Sequence, residues 1–326
     1  MRFDKVVYIR YMPLTAKIYS DFYMEEAEKV GVKVEYWDLT ALFFGDNHGM
    51  EDSSYLTNVR KFNTYNDLEI ALKSEEFLSK TLFISIMTFE GRICKLYRIL
   101  TKYNCNLAVF GRNMFPVPPV KNSLLGILNR IKISTVLNYF EFRKVLKLKK
   151  KGKIKNYDII FMGGSLGWQG IGRVGIDDVK NAQIVNVNSD DYDNYLLLKN
   201  DEALIPIDYI LFLDEYLPLH PDTVLFDIKN VKADDYYPEL NCYFDRVEKQ
   251  YGLPVVIAAH PKAIRYKTED FFNGRKVIFN ETARLTKNAF FVLAHDSTSI
   301  NYPIAFGKKL HFINTKNILK GIGQVH

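Results

Sequence analysis

Short, strongly apolar runs alternate with segments of helical periodicity along most of this 326-residue chain. Runs of about four to eight apolar residues, bounded by Gly, Pro or polar residues, are typical of strands that are buried on both faces. Strands that alternate with helices pair in parallel, so the pattern predicts an α/β protein. The predicted strands are Lys5–Arg10, Lys33–Asp38, Thr81–Met87, Asn106–Phe110, Tyr157–Met162, Gln183–Asn188, Tyr209–Leu213, Pro254–Ala259, Lys276–Phe279, Phe290–Ala294 and Lys309–Ile313.

The helical segments and the chain length together predict two domains. A chain of this length is too long for one ordinary core and suits two domains of about 150 residues each. We predict two Rossmann-like domains, 1–200 and 201–326, whose mostly parallel sheets face a cleft. The predicted helices are Thr15–Val30, Leu68–Leu78, Gly91–Tyr103, Leu124–Lys147, Tyr236–Tyr251, Thr282–Asn288 and Ser299–Phe306.

The composition argues against several classes of protein. No stretch approaches the roughly 20 apolar residues of a membrane-spanning helix. The first residues, MRFDKVVYIRYM, carry charges within their apolar run and read as a strand, not a signal peptide. The three cysteines, Cys94, Cys105 and Cys242, form no CxxC pair, which argues against a disulfide framework or a zinc site. We therefore expect a cytoplasmic protein.

The net excess of positive charge is concentrated in one segment. Between Lys121 and Lys155 there are eleven Lys or Arg residues and one acid, Glu141, although the net charge of the whole chain is only +6. Anionic lipid attracts such patches by about 1 kcal/mol per cation. Residues 143–155 therefore predict peripheral association with the inner face of the cell membrane, with a merely solvated surface as the alternative. We expect no nucleic-acid partner, because no recognised nucleic-acid motif accompanies the segment.

Polar side chains follow three strands of the second half, where open parallel sheets bind ligands. Asp214 and Glu215 follow the apolar run YILFL, and a carboxylate can act as a general base. An alternative interpretation is that these acids only begin a solvated loop.

His260 and Ser297 mark the other two strand ends. His260-Pro261-Lys262 offers an imidazole and an ammonium group to a phosphate, and Pro261 restricts the turn. Ser297-Thr298-Ser299 precedes a short predicted helix, where hydroxyls and amide groups can bind an anion. Alternatively, His260 only forms a hydrogen bond with a backbone carbonyl, and Ser297-Thr298-Ser299 only caps the helix. Because all three clusters end strands of one predicted sheet, we expect them to converge on a single crevice.

The order of these motifs resembles the bacterial GT-B sialyltransferases and related ulosonic-acid transferases of surface-polysaccharide biosynthesis. The resemblance covers about residues 205–313 and implies a GT-B-like fold with the nucleotide-sugar donor bound by the second domain. It implies that Asp214 or Glu215 is the catalytic base and that His260 assists departure of the leaving group. It further implies a donor phosphate held by His260, Pro261, Lys262, Ser297, Thr298 and Ser299. In that family the acid motif ends in Gly, where this chain has Tyr216.

The first half offers weaker candidates for acceptor contacts. Trp168 can stack on a sugar, and Asp190 and Asp191 can bind its hydroxyls. The literal GxGxxG from Gly170 to Gly175 does not turn directly from strand into helix, so we do not expect a dinucleotide site.

Together these features predict a glycosyltransferase that acts on a bacterial surface glycan or glycolipid. We expect no metal and no cofactor beyond the nucleotide-sugar co-substrate, with a CMP-linked sialic or ulosonic acid as the favoured donor. Two alternatives remain open: a sugar-nucleotide epimerase and a non-catalytic subunit that binds nucleotide-sugars.

Overall fold

The chain forms two compact units in a computed structural model, Met1–Ser189 and Asp190–His326. The structure describes residues 2–45, 53–75, 78–112, 133–169, 174–221, 223, 231–295 and 297–321. The predicted class, α/β with two Rossmann-like parallel-sheet domains, is confirmed. The predicted boundary after residue 200 differs from this division. Helix Asp190–Leu198 belongs to the second unit because it packs against two helices of that unit.

The first unit contains a seven-stranded sheet in which every neighbouring pair is parallel. Its order is β3-β2-β1-β4-β5-β6-β7, so the chain reverses its direction of winding between β1 and β4. Sequence reasoning missed β3, because this edge strand is polar and mostly exposed and carries no apolar pattern. The strands are β1 Lys5–Arg10, β2 Lys33–Asp38, β3 Asn58–Lys61, β4 Thr81–Ser85, β5 Asn106–Gly111, β6 Ile159–Gly163 and β7 Gln183–Val187.

The helices of the first unit cover both faces of this sheet. In β1, Val7 and Ile9 enter one core, whereas Val6 and Tyr8 enter the core on the opposite face. The predicted helix Thr15–Val30 is wrong as a single element, because Tyr23 adopts a left-handed conformation that interrupts it. The helices are α1 Ala16–Asp21, α2 Met24–Lys29, α3 Thr40–Phe44, α4 Tyr65–Ser74, α5 Cys94–Lys102, α6 Ile133–Lys150 and α7 Ile176–Asn181.

The second unit repeats the same winding with five strands. Its order is β10-β9-β8-β11-β12, again all parallel, with the reversal between β8 and β11. The strands are β8 Ile210–Leu213, β9 Val255–Ala259, β10 Val277–Phe279, β11 Phe291–Ala294 and β12 Leu310–Phe312. The helices are α8 Asp190–Leu198, α9 Ala233–Tyr251, α10 Thr282–Asn288, α11 Asn301–Ala305 and α12 Lys316–Gly321.

Helices also cover both faces of the second sheet. On one face, Phe212 of β8 packs against Phe244 of α9 with ring centroids 5.2 Å apart. On the other face, the hydroxyl of Tyr209 donates a hydrogen bond of 2.7 Å to the carbonyl of Leu285 in α10. Strands β8, β9 and β11 are buried along their whole length, as expected for central parallel strands.

Candidate functional site at the carboxyl edge of the second sheet

The strand register brings the three predicted clusters to one edge of the second sheet. Leu213, the last residue of β8, pairs with Ala258 of β9 and with Ala294 of β11. Neighbouring strands lie about 5 Å apart, so the residues that follow these three strands lie along a short stretch of the carboxyl edge. This stretch includes the reversal between β8 and β11, where doubly wound sheets bind their ligands.

Asp214 is buried at this edge, with 5% of its surface exposed. One carboxylate oxygen accepts the backbone N–H of His260 at 3.2 Å, and the other accepts the hydroxyl of Tyr266 at 3.2 Å. Burial raises the pKa of Asp214 to about 6, and these donors oppose the rise because they stabilise the charged form. The carboxylate therefore ties the end of β8 to the turn after β9.

The half-buried Glu215 lies at the surface beside this buried carboxylate. A general base must reach the proton that it removes, and Glu215 is the more exposed of the two acids. Tyr216 follows in a left-handed conformation with φ of 55°, a backbone state in which Gly is relaxed. Its ring packs edge-on against Tyr266, with centroids 5.1 Å apart, which holds the turn in place.

The ring of His260 is oriented by its own turn. Its Nδ1 accepts the backbone N–H of Lys262 at 3.2 Å, which assigns the proton of the neutral ring to Nε2. The imidazole is half-buried, whereas Pro261 and Lys262 are exposed. His260 can therefore present an N–H donor to an anion at the edge, with the Lys262 ammonium close along the chain.

His295, directly after β11, has a structural role. Its Nδ1 lies 2.6 Å from the carbonyl of Ile313, and its Nε2 lies 3.0 Å from the hydroxyl of Tyr236. Burial lowers the pKa of His295, against the opposing effect of the Ile313 carbonyl. A neutral ring that donates through Nδ1 and accepts through Nε2 satisfies both contacts and links β11 to α9.

The three predicted hydroxyl residues have different environments. Ser297 is buried, and its hydroxyl oxygen accepts the backbone N–H of Ser299 at 3.2 Å, so Ser297 caps the short 3-10 turn Thr298–Ile300. Thr298 is exposed and Ser299 is half-buried. The cluster can still offer hydroxyl donors at the edge, but Ser297 also has a capping role.

The candidates for acceptor contacts do not share one environment. Trp168 is half-buried and packs against a core of the first unit. Asp190 and Asp191 begin α8 and belong to the second unit, which corrects their predicted place in the first domain. Asp191 accepts a hydrogen bond of 2.8 Å from the side chain of Asn301 and so helps to hold α8 against α11.

Close backbone packing explains the glycines that surround Trp168. A Cβ on Gly167 would lie 2.1 Å from the carbonyl oxygen of Gly111, at the end of β5. A Cβ on Gly163 would lie 2.8 Å from the Cβ of Arg112. These glycines are required for packing at the carboxyl edge of the first sheet. Most of the GxGxxG segment, residues 170–173, lies outside the described residues.

The basic segment forms the end of α6 and the turn after it, and two of its lysines point inward. Lys149 forms an ion pair of 2.6 Å with the buried Asp178, and Lys155 forms one of 2.8 Å with Asp158. These two residues are therefore not part of the predicted basic surface. The remaining basic side chains are exposed: Arg143, Lys144, Lys147, Lys150, Lys151 and Lys153.

The described part of the chain offers cavities but no cluster of metal ligands. Its residues include no group of three or more His, Cys, Asp and Glu side chains that could hold a metal ion. None of its helices is long and apolar enough to cross a membrane. The second unit has a cavity of about 260 Å³ between α9 and strands β11 and β12, and one of about 670 Å³ near the starts of β9 and β10. These cavities do not coincide with the carboxyl edge.

His220 and Tyr266 are residues at this edge to which sequence reasoning assigned no role. His220 lies beside His260, with ring centroids 4.8 Å apart. A second His-Pro dipeptide, His220-Pro221, was the available signal for it. Tyr266 had no such signal, because only the folded chain brings its hydroxyl to Asp214.

The comparison with known proteins gives the fold. No protein-family model and no curated protein sequence matches the chain. Its structure is similar to that of a candidate UDP-N-acetylglucosamine 2-epimerase from Listeria monocytogenes, with a TM-score of 0.51, 9% identity, and coverage of 98% of this chain and 81% of that one.

Two further similarities have TM-scores below 0.5. One is to the UDP-GlcNAc 2-epimerase from Methanocaldococcus jannaschii, with a TM-score of 0.48, 12% identity, and coverage of 96% of this chain and 85% of that one. The other is to a UGT transferase from Siraitia grosvenorii in complex with UDP, with a TM-score of 0.49, 9% identity, and coverage of 98% and 85%. At this identity, the likeness to the Listeria protein shows a shared fold alone.

Proposed function

We propose that this chain is a glycosyltransferase that uses a nucleotide-sugar and binds the phosphate of that donor at the carboxyl edge of its second sheet. The observation that carries the proposal is the register of β9, β8 and β11. It places the imidazole of His260, the acid pair Asp214-Glu215 and the hydroxyls of residues 297–299 on neighbouring strand ends at the winding reversal.

The proposed chemistry follows from the side chains at this edge. The N–H of His260, the ammonium of Lys262 and the hydroxyls of Thr298 and Ser299 stabilise the charge that develops on the departing phosphate. Glu215 removes the proton from the acceptor hydroxyl, which then attacks the anomeric carbon of the sugar. Asp214 supports the site by holding the His260 turn. Because protein donors stabilise the leaving group, we expect transfer without a metal ion.

The resemblance to the ulosonic-acid transferases favours a CMP-linked donor and a bacterial surface glycan or glycolipid as the acceptor. A thermal-shift screen of CMP, CDP, UDP and GDP, followed by calorimetry, tests the donor class. We expect stabilisation by cytidine nucleotides and at least tenfold weaker binding by His260→Ala. His311→Ala is the matched control, because His311 is an exposed histidine in the middle of β12. Equal binding by all three proteins would refute the phosphate site.

A sugar-nucleotide epimerase is the second candidate, because the Listeria structure that shares the fold is described as a candidate enzyme of that class. An epimerase converts its nucleotide-sugar without an acceptor, whereas a transferase consumes the donor only when an acceptor is present. Incubation of each bound nucleotide-sugar alone, followed by chromatography, separates the two. Detection of an isomerised nucleotide-sugar would identify an epimerase and exclude the transferase assignment. Binding without any conversion, with or without acceptors, would indicate a non-catalytic subunit.

The basic end of α6 supports a peripheral membrane role for the same protein. Six basic side chains are exposed between residues 143 and 153, and 64% of Phe140 is also exposed. An anionic lipid surface would attract the cations, and the Phe140 ring can enter the interface. This surface would bring the enzyme to a lipid-linked acceptor.

Vesicle sedimentation tests this role. We expect binding to vesicles that contain phosphatidylglycerol, and little binding to neutral vesicles or at high salt. The variant K147E/K150E/K151E should lose binding. The variant K33E/K73E/K249E has the same net charge but alters exposed lysines elsewhere, and it should retain binding. Equal behaviour of the two variants would exclude a specific surface, and a preference for RNA over vesicles would replace the lipid with a nucleic acid.

A further inference from the structure

We propose that His220 is a second imidazole ligand of the donor phosphate and binds the same phosphate group as His260. The inference rests on the proposed function, because it takes the anion at this edge to be the phosphate of a nucleotide. It adds a binding residue that neither the motif order nor the resemblance singles out.

The turn after β8 carries His220 to the end of β9. Tyr216, in its left-handed conformation, redirects the chain, and the 3-10 turn Leu217–Leu219 follows. Leu217 and Leu219 both pack against the core of the second unit, which anchors the turn. The ring of His220 then meets that of His260 at an interplanar angle of 69°.

Hydrogen bonds to its carbonyl and the following proline restrict the backbone at His220. Its carbonyl accepts the amide of Thr223 at 3.0 Å and the hydroxyl of Thr223 at 2.6 Å. Pro221 disfavours helical geometry at the preceding residue, and His220 is accordingly extended, with φ of −65° and ψ of 124°. His260 has the same His-Pro arrangement. Two preorganised imidazoles thus lie at one strand end.

Two imidazoles at this separation suit a phosphate. A neutral imidazole offers one N–H donor and an imidazolium offers two, and a phosphate group has several acceptor oxygens. Rings with centroids 4.8 Å apart can donate to different oxygens of one phosphate group. Both rings are half-buried, so a bound anion would be partly shielded from water and the hydrogen bonds correspondingly strengthened.

The decisive experiment separates a donor role from ring packing. His220→Phe keeps an aromatic ring beside His260 but removes both nitrogens, whereas His220→Gln keeps an N–H donor. Calorimetric titration with CMP and UDP, and with cytidine and uridine as phosphate-free probes, should show nucleotide affinity reduced about tenfold in His220→Phe and less in His220→Gln. Nucleoside affinity should be unchanged in both variants. His311→Phe is the control and should match the wild-type protein.

The double variant H220F/H260F tests whether one phosphate group binds both rings. Because the rings would share a ligand, the double loss should be smaller than the product of the two single losses. Wild-type nucleotide affinity in His220→Phe, together with a loss in His260→Phe, would overturn this inference and leave the proposed function standing. Equal losses of nucleoside and nucleotide affinity would reduce His220 to a structural role. A wild-type protein that binds no nucleotide would overturn both proposals.

Discussion

The two sheets share a winding order, but their carboxyl edges differ in what the polar groups do. In the first unit, the edge at β5 and β6 is packed tightly. Arg112 is 4% exposed there and donates to the carbonyl of Asp21, while its guanidinium lies 4.7 Å from the ring centroids of Phe22 and Phe110. In the second unit, His260, Lys262 and Thr298 reach the surface at the edge. The same architecture thus supports a closed, structural edge and one that can receive an anion.

Two buried carboxylates, Asp178 of the first unit and Asp214 of the second, show the same contrast. Asp178 in the first unit is paired with the Lys149 ammonium. Burial lowers the pKa of Lys149, and the neighbouring Asp178 carboxylate offsets only part of this effect. Asp214 in the second unit accepts hydrogen bonds from neutral donors, and its pKa rises. A paired carboxylate stabilises the interior only while its partner is present, whereas Asp214 makes stability depend on pH.

The largest expected effect comes from breaking the pair in the first unit. Asp178→Ala leaves the Lys149 ammonium buried and removes the acceptor for the amides of Tyr157 and Gly175. We expect a loss of about 3–5 kcal/mol in the free energy of unfolding. Urea unfolding followed by tryptophan fluorescence measures it, since Trp37 and Trp168 are the only tryptophans and both lie in this unit. The variant D178N/K149M removes both charges and keeps one side-chain oxygen as an acceptor for one of the two amides. A loss as large as that of Asp178→Ala would show that the ion pair is not the cause.

The next effect is a pH dependence in the second unit. The pKa of Asp214 rises from 3.8 to about 6 on folding. Between about pH 4 and 6 the folded chain keeps a proton on Asp214 that the unfolded chain releases, so the contribution of Asp214 to stability is full below this window and is lost as pH rises through it. The fall is about 3 kcal/mol in total. Circular dichroism of urea unfolding between pH 4 and 7 should show it as a difference between the wild-type protein and Asp214→Asn. The exposed control Asp235→Asn should retain the wild-type slope, and a parallel Asp214→Asn profile would contradict the assignment.

A smaller effect tests the closed edge of the first sheet. Gly167→Ala places a methyl group against the carbonyl of Gly111, so the loop or β5 must move, at a cost of about 2 kcal/mol. Tryptophan fluorescence again reports the change, because Trp168 is the next residue. Gly164→Asn is the control: its φ of 75° suits Asn, and a Cβ there meets open space. Similar stability of the two variants would show that the edge is not tightly packed.

The smallest expected effect separates capping from ligand binding at the carboxyl edge of the second sheet. Ser297→Ala removes the cap of the 3-10 turn and should cost about 1 kcal/mol. Thr298→Ala alters an exposed residue and should change stability by less than about 0.5 kcal/mol. In nucleotide titrations we expect Thr298→Ala to weaken binding all the same. A variant with wild-type affinity would remove Thr298 from the phosphate site.

Much of the fold was predictable from local patterns. Central strands such as β1, β8 and β9 were located within a residue or two, because a strand buried on both faces needs an uninterrupted apolar run. The elements that were missed or wrong lack such a signal. Edge strand β3 is polar, α8 begins with an acidic stretch that reads as a loop, and the break at Tyr23 depends on a backbone state that its side chain does not announce.

The candidate site was predictable in its position but not in the division of its roles. The strand ends identified His260, Asp214 and Ser297, because polar residues directly after apolar runs must lie at the carboxyl edge of a parallel sheet. Burial separated Asp214 from Glu215, and capping separated Ser297 from Thr298. His220 and Tyr266 joined the edge only through contacts between elements that are distant in the sequence.

The sequence by itself determined the α/β class, the parallel strands and the carboxyl edge at which polar groups gather, because these depend on hydrophobic periodicity that neighbouring residues carry. The tertiary structure decided the strand order, the extent of each unit and the choice of which polar groups are buried. Those depend on long-range pairing: the register of β8 with β9 and β11 sets which side chains meet, and the packing around each one decides whether it supports the fold or faces a ligand.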